Sequence, residues 1–151
     1  MGGSLCYFLR GQRKIVLCVA SSGIASLLLI GSRTSHSTFK IPIDIHESSI
    51  CNIAKNSELA ELIHMTDLVI WDEAPMQHHH IPKAVDRSFC DIRRCEDKIF
   101  GGLTVVFGGD FKQILLRIMS RNCWCMSSEI SVIMVINPSP QAYTEHAYKG
   151  P

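Results

Sequence analysis

Two adjacent carboxylates, Asp72 and Glu73, close the apolar run Leu68-Val69-Ile70-Trp71. One carboxylate of such a pair can hold a hard divalent cation, directly or through water, while the other polarises the water that attacks a phosphoryl group. That chemistry needs the pair at the carboxyl end of a strand, where open α/β sheets bind their ligands. On this reading Asp72 takes the metal and Glu73 acts as the base. The competing reading is an acidic turn that ends a strand in solvent. Adjacency excludes a glycosidase pair, whose carboxyls face each other across a sugar.

The elements that would position this pair follow from the surrounding pattern. Leu68 to Trp71 is short, continuously apolar and β-branched in part, which suits a parallel strand covered on both faces. Leu103 to Phe107 is a second such run, followed by Gly108-Gly109-Asp110-Phe111-Lys112-Gln113. The glycines allow a sharp turn and leave room for a ligand. Asp110 supplies an acceptor, and the neutral amide of Gln113 can read a phosphate oxygen or orient a water. A third run, Ile15 to Ala20, enters Ser21-Ser22-Gly23 and an apolar helix. That turn offers hydroxyls, backbone N–H groups and a helix N-terminus, which favour an anion such as phosphate. Ser57 caps an amphipathic helix carrying Leu59, Leu62 and Ile63. Pro82 fits the first turn of another helix, with Val85, Phe89 and Ile92 as its core stripe. Arg87, Arg93 and Arg94 lie off that stripe, on a solvated face or within reach of nucleic acid. Gly101-Gly102 closes the loop before the Leu103 run.

In this order, the three strand-then-polar-turn units resemble the first motor domain of the Pif family of superfamily-one DNA helicases, Helitron-type helicases included. The resemblance runs from about Lys14 to Leu115. Val19-Ala20-Ser21-Ser22-Gly23-Ile24-Ala25 resembles motif Ia, and Arg33-Thr34-Ser35-His36-Ser37-Thr38-Phe39 resembles the family's next segment on the DNA side. Asp72-Glu73-Ala74-Pro75 resembles Walker B, and Gly109-Asp110-Phe111-Lys112-Gln113 resembles motif III, whose glutamine senses the γ-phosphate. The resemblance implies an α/β, RecA-like P-loop NTPase fold, a parallel sheet with flanking helices. It implies ATP and Mg²⁺ as cofactors, with Glu73 and Gln113 catalytic, Asp72, Asp110 and Gln113 at the nucleotide, and Asp72 on the metal. It further implies DNA contact through Ser21, Ser22, Gly23, Arg33, Thr34, His36 and Lys40. The implied partner is single-stranded DNA or a duplex or fork. The implied roles are DNA unwinding, repair, recombination and telomere maintenance, in the nucleus or alternatively the mitochondrion.

The sequence also departs from that pattern. Walker A requires Gly-x-x-x-x-Gly-Lys-Ser/Thr, and no such string lies in residues 1–151. Gly2-Gly3 resembles a remnant of that loop, but neither Lys14 nor Lys40 has the required neighbours. Leu116-Arg117-Ile118-Met119 follows where the family continues with Pro-Val. The expected organisation is a divergent segment at 1–13, a partial motor domain at 14–115 whose sheet is incomplete at the P-loop unit, and an unmatched tail at 116–151. Within that tail Ile130 to Ile136 is a candidate strand, and Ser139 to Pro151 is expected to be poorly ordered. The departures suggest a fragment not competent alone. The alternative is a non-catalytic single-stranded-DNA-binding remnant or an inactive pseudogene product.

Composition agrees with one small domain, since 151 residues at 46% hydrophobic can bury a single core. The formal net charge of +1 is uneven, with no acidic residue before Asp44 and five basic ones, Arg10, Arg13, Lys14, Arg33 and Lys40. From Asp44 onward ten basic residues face fourteen acidic ones. A positive N-terminal portion suits a phosphate backbone, and chance clustering of solvated Arg and Lys is the alternative. No apolar run reaches the ~18 residues of a membrane helix. Seven cysteines, an odd number without Cys-x-x-Cys pairs, point to reduced thiols of the cytosol or nucleus. His78-His79-His80 is expected to be a solvated loop leading into a helix, because consecutive side chains on a helix or strand diverge.

Overall fold

Strand alternation sorts the apolar residues onto two faces of one sheet. In the computed structural model, residues 2–28, 31–109 and 134–136 are described. The strands are β1 (Val16–Ala20), β2 (Arg33–Thr34), β3 (Leu68–Asp72), β4 (Thr104–Phe107) and β5 (Met134–Ile136). The helices are α1 (Gly2–Gly11), α2 (Gly23–Leu27), α3 (Ser35–Phe39), α4 (Glu58–Met65) and α5 (His80–Arg93). The sheet order is β2-β1-β3-β4-β5. The first four strands are parallel, and β5 pairs antiparallel with β4.

The larger core collects Val19, Val69, Trp71, Val105 and Phe107 from the sheet against Phe39, Ile63, Val85, Phe89 and Phe100. The opposite face collects Val16, Cys18, Leu68, Ile70 and Val106 against Cys6 and Leu9 of α1. Successive residues of β3 thus enter different cores, which is why its sequence is apolar throughout. Rings connect the elements of the larger core. Phe39 lies 5.5 Å from Trp71 and 5.3 Å from Phe89, and Trp71 lies 5.6 Å from Phe107.

Three sequence expectations change in the folded chain. The segment at 1–13 forms α1 and covers the smaller core, its Cys6 Sγ standing 3.1 Å from Cys18 Sγ. Arg93 neither faces solvent nor is available to nucleic acid. Its guanidinium donates to Gly101 O (2.9 Å), and to Ile63 O and His64 O (both 3.0 Å). The last carbonyls of a helix lack i+4 donors; at the end of α4 Thr66 serves Leu62 O and, at 3.4 Å, Ile63 O, and the Arg93 cation adds charged donors to Ile63 O and His64 O. Arg87 similarly donates to Ser49 O. The basic N-terminal portion is also partly committed, because Lys14 pairs with Asp67 at 3.2 Å and Arg10 donates to Val16 O at 3.2 Å.

The third change concerns His78-His79-His80. The three rings converge, with centroids 4.0–4.8 Å apart. His78 and His79 are exposed and lead into α5 as expected, and only His80 lies inside the helix, so the divergence expected along one regular element does not apply across the three. Desolvation and the adjacent imidazoles lower the pKa of His79 and His80 from the usual histidine value. The described cysteines 6, 18, 51, 90 and 95 are unpaired. Burial pushes the Cys18 thiol up to about 12 and the Cys51 thiol up to about 11, so neither is a reactive thiolate at neutral pH. Of the candidate strand at 130–136, the described part is β5. Asp110, Gln113 and the 139–151 segment lie outside the described residues.

Candidate functional site

Parallel register places four strand ends on one edge of the sheet. Ala20 of β1 pairs with Asp72 of β3 and with Thr34 of β2, and Trp71 of β3 pairs with Phe107 of β4. Each strand therefore delivers its following residue, Ser21, Ser35, Glu73 or Gly108, to the same end. Hydrogen bonds tie these loops together. Ser21 N–H donates to Asp72 O at 3.1 Å, Gly108 N–H to Trp71 O at 2.8 Å, and Ala74 N–H to Gly108 O at 3.1 Å. The Ser21 hydroxyl also donates to Asp72 O, at 3.3 Å.

Asp72 and Glu73 are both half-buried. Asp72 Oδ1 accepts the Glu73 N–H at 3.0 Å, which fixes the rotation of the carboxylate. Glu73 has φ +53°, a left-handed conformation that non-glycine residues seldom adopt. This turn separates the two carboxylates from the continuing strand direction and starts the short 3₁₀ turn Ala74–Met76. The glycines complete the edge. A Cβ on Gly108 would stand 3.0 Å from Asp72 Oδ1, and one on Gly109, where φ is +140°, would stand 2.6 Å from Pro75 Cδ. Glycine at 108 therefore keeps the space beside the Asp72 carboxylate open. Hard carboxylate oxygens with open space beside them suit Mg²⁺, which binds few protein ligands and retains several waters. Asp72, with Glu73 beside it, would hold that ion, and the ion would supply neutralising charge for a phosphate.

The residues assigned to DNA divide by their local duties. The Ser22 hydroxyl accepts Ala25 N–H at 3.2 Å and caps α2, while Thr34 Oγ1 accepts Ser37 N–H at 3.3 Å and caps α3. Ser21 is half-buried and engaged with Asp72. Ser22, Gly23, Arg33, His36 and Lys40 are exposed. Arg33, His36 and Lys40 therefore present charged or polar groups around α3, and Gly23 opens α2 beside them. Lys40 has φ +52° at the C-terminus of α3.

Sequence reasoning missed the link between this segment and the carboxylates. Gln77 is buried, and its Nε2 donates to Ser35 Oγ and approaches His36 Nδ1 at 3.5 Å. Phe39, at the end of the same segment, packs on Trp71, one residue before Asp72. Neither contact has a signature in spacing, since both join residues more than thirty positions apart. Gln113 and Asp110, the remaining assigned residues, lie outside the described structure, so this edge is seen through Gly109.

Comparison with known proteins matches the described geometry to one family. The PIF1-like helicase family model matches residues 3–129, a span that extends on both sides of the 14–115 block. The ATP-dependent DNA helicase Pif1 of Psychrobacter sp. (strain PRwf-1) is 34% identical over 110 residues, covering 72% of this chain and 16% of that protein. The chain thus spans about one sixth of that relative's length. Bacteroides sp. Pif1 in complex with ADP-AlF4 is 31% identical, with a TM-score of 0.60 over 73% of this chain and 25% of that one. Bacteroides Pif1 bound to single-stranded DNA is likewise 31% identical, with a TM-score of 0.55 over 67% of this chain and 24% of that one. The parallel sheet with its flanking helices is accordingly a RecA-like P-loop fold, and the chain belongs to the PIF1-like helicase family.

Proposed function

We propose that this chain supplies the hydrolytic edge and part of the DNA-facing surface of an ATP-dependent DNA helicase. The observation that carries the reading is the register that brings Ser21, Asp72, Glu73 and Gly108 to one edge of the sheet. There Asp72 helps to hold Mg²⁺, and Glu73 accepts a proton from the water that attacks the γ-phosphate of ATP. Gln113 orients that water or reads the γ-phosphate, and Asp110 serves the nucleotide, as the motif III resemblance implies. Ser21, Ser22, Gly23, Arg33, Thr34, His36 and Lys40 make up the DNA side, with the exposed cations contacting phosphates. Gln77 and the Phe39–Trp71 contact would pass changes at one side to the other. The family resemblance adds unwinding at a single-stranded region or fork, with service in repair, recombination and telomere maintenance. The unpaired described cysteines support a reducing compartment, and a DNA substrate makes that compartment the nucleus, with the mitochondrion as the alternative.

A second reading is a single-stranded-DNA-binding module that does not turn over ATP. It is favoured by one observation, that residues 1–151 contain no Walker A string. Mg-ATP hydrolysis by the purified chain, with and without single-stranded DNA, separates the two. DNA-stimulated turnover that disappears in Glu73→Gln supports the hydrolytic edge. DNA binding without turnover and without a nucleotide effect supports the second reading. A folded chain that does neither overturns both.

A further inference from the structure

We propose that His78, His79 and His80 form a binding site for a late first-row divalent metal ion, of the Zn²⁺ class, at the entry to α5. One donor nitrogen from each ring lies within 4.8 Å of the others. Zn²⁺ binds imidazole nitrogen at about 2.0–2.1 Å. Small rotations of His78 and His79, both exposed, close the remaining gap. His80 adds the second observation, because its Nδ1 is enclosed by protein and has no hydrogen-bond partner. A buried imidazole nitrogen without a partner is costly to leave unused, and a metal ion facing the cluster gives that ring a role.

The donor set also selects the ion. Three imidazoles suit Zn²⁺, Ni²⁺ or Cu²⁺, whereas Mg²⁺ and Ca²⁺ prefer the oxygen donors found at Asp72 and Glu73. Two terms oppose binding. His80 N–H donates to His78 Nδ1 at 3.3 Å, and ligation through that nitrogen gives up the bond. The Lys83 ammonium also acts on the cluster, but the Glu47 carboxylate, 3.9 Å from Lys83 Nζ, offsets its charge. A bound ion would fasten the turn after Gln77 to the first turn of α5, immediately behind the Gln77 contact with Ser35 and His36.

Co²⁺ titration of the full chain tests this, because its visible bands report coordination and thiolate ligation adds a near-ultraviolet charge-transfer band. The expected result is one Co²⁺ per chain, displaced by Zn²⁺, without the thiolate band. His78→Ala and His79→Ala, each at an exposed position and each checked for native circular dichroism, should each weaken binding at least tenfold. A weakening below tenfold in the folded variants, or a thiolate band that persists in them, places the ion elsewhere and overturns the proposal.

Discussion

At the carboxylate edge, backbone groups from three strands hold Asp72 and Glu73 in place, whereas α2, only two residues beyond Ser21, leaves Ile24, Leu27 and Leu28 at 80%, 84% and 78% exposure. The first region takes its geometry from sheet register, which is shared by many hydrogen bonds and two cores. The second consists of five-residue helices capped by the hydroxyls of Ser22 and Thr34, of which α3 is also anchored through Phe39 and Ser35 while α2 buries only Ala25. Helices that short have little stability of their own. On the proposed assignment, chemistry that needs fixed atoms falls to the first region and contact with a flexible polymer to the second. Stability and DNA affinity should therefore be separable by mutation.

The most severe challenge to the rigid side is Trp71→Ala. Trp71 is 1% exposed and touches both Phe39 and Phe107, so its loss should cost about 3–5 kcal/mol in urea unfolding. A loss under about 1 kcal/mol would mean that the carboxylate strand is not anchored through its core. Gly109→Ala should cost about 1–3 kcal/mol, because alanine is strained at φ +140° and its Cβ meets Pro75. Arg93→Met should cost about 1–3 kcal/mol by leaving the α4 carbonyls without their charged donor. Its effect on DNA affinity should be negligible, which fluorescence anisotropy can read directly.

The exposed side is challenged by Arg33→Ala combined with Lys40→Ala. The melting temperature should be unchanged, while the log–log salt slope of single-stranded DNA binding should become shallower by about 1.4, two phosphate contacts at 0.7 each. An unchanged slope would remove α3 from the DNA surface. The smallest expected effect is at Asp67. Its carboxyl is held below the usual carboxylate range by the Ile15 N–H and by Lys14. A depressed folded pKa contributes stability above the unfolded value of about 3.9 and loses it as pH falls through the folded one. Asp67→Asn should therefore lower the melting temperature slightly at pH 7 and have no effect in strong acid.

The two regions also differed in how far the sequence disclosed them. β1, β3 and β4 were legible because strands buried on both faces must be continuously apolar, and their polar ends then marked the edge. The cap at Ser57 was legible for a similarly local reason, a hydroxyl placed before an amphipathic helix, whereas Ser22 reads in the sequence as part of an anion-favouring turn and not as the cap it is. Contacts made at long range were not. Arg93 looks like any solvated arginine until α4 ends beside it, and Gln77 looks like a loop residue until Ser35 arrives. α1 was unread because Gly2, Gly3 and Gly11 disguise a helix whose stability comes from Cys6 and Leu9 against the sheet. The histidines were half legible: the exposed turn leading into a helix stands as expected, while the divergence of their rings, a rule for regular elements, fails at that junction.

The outer strand β2 is short, two residues. A long parallel strand with an unpaired edge is a template onto which another chain can add its own backbone. Here β4 gives its outer edge to β5 in the antiparallel sense, and β1 gives its outer edge to β2. β2 thus acts as an end-stop on the β1 side, and a longer strand in its place would offer the kind of edge on which another chain can pair.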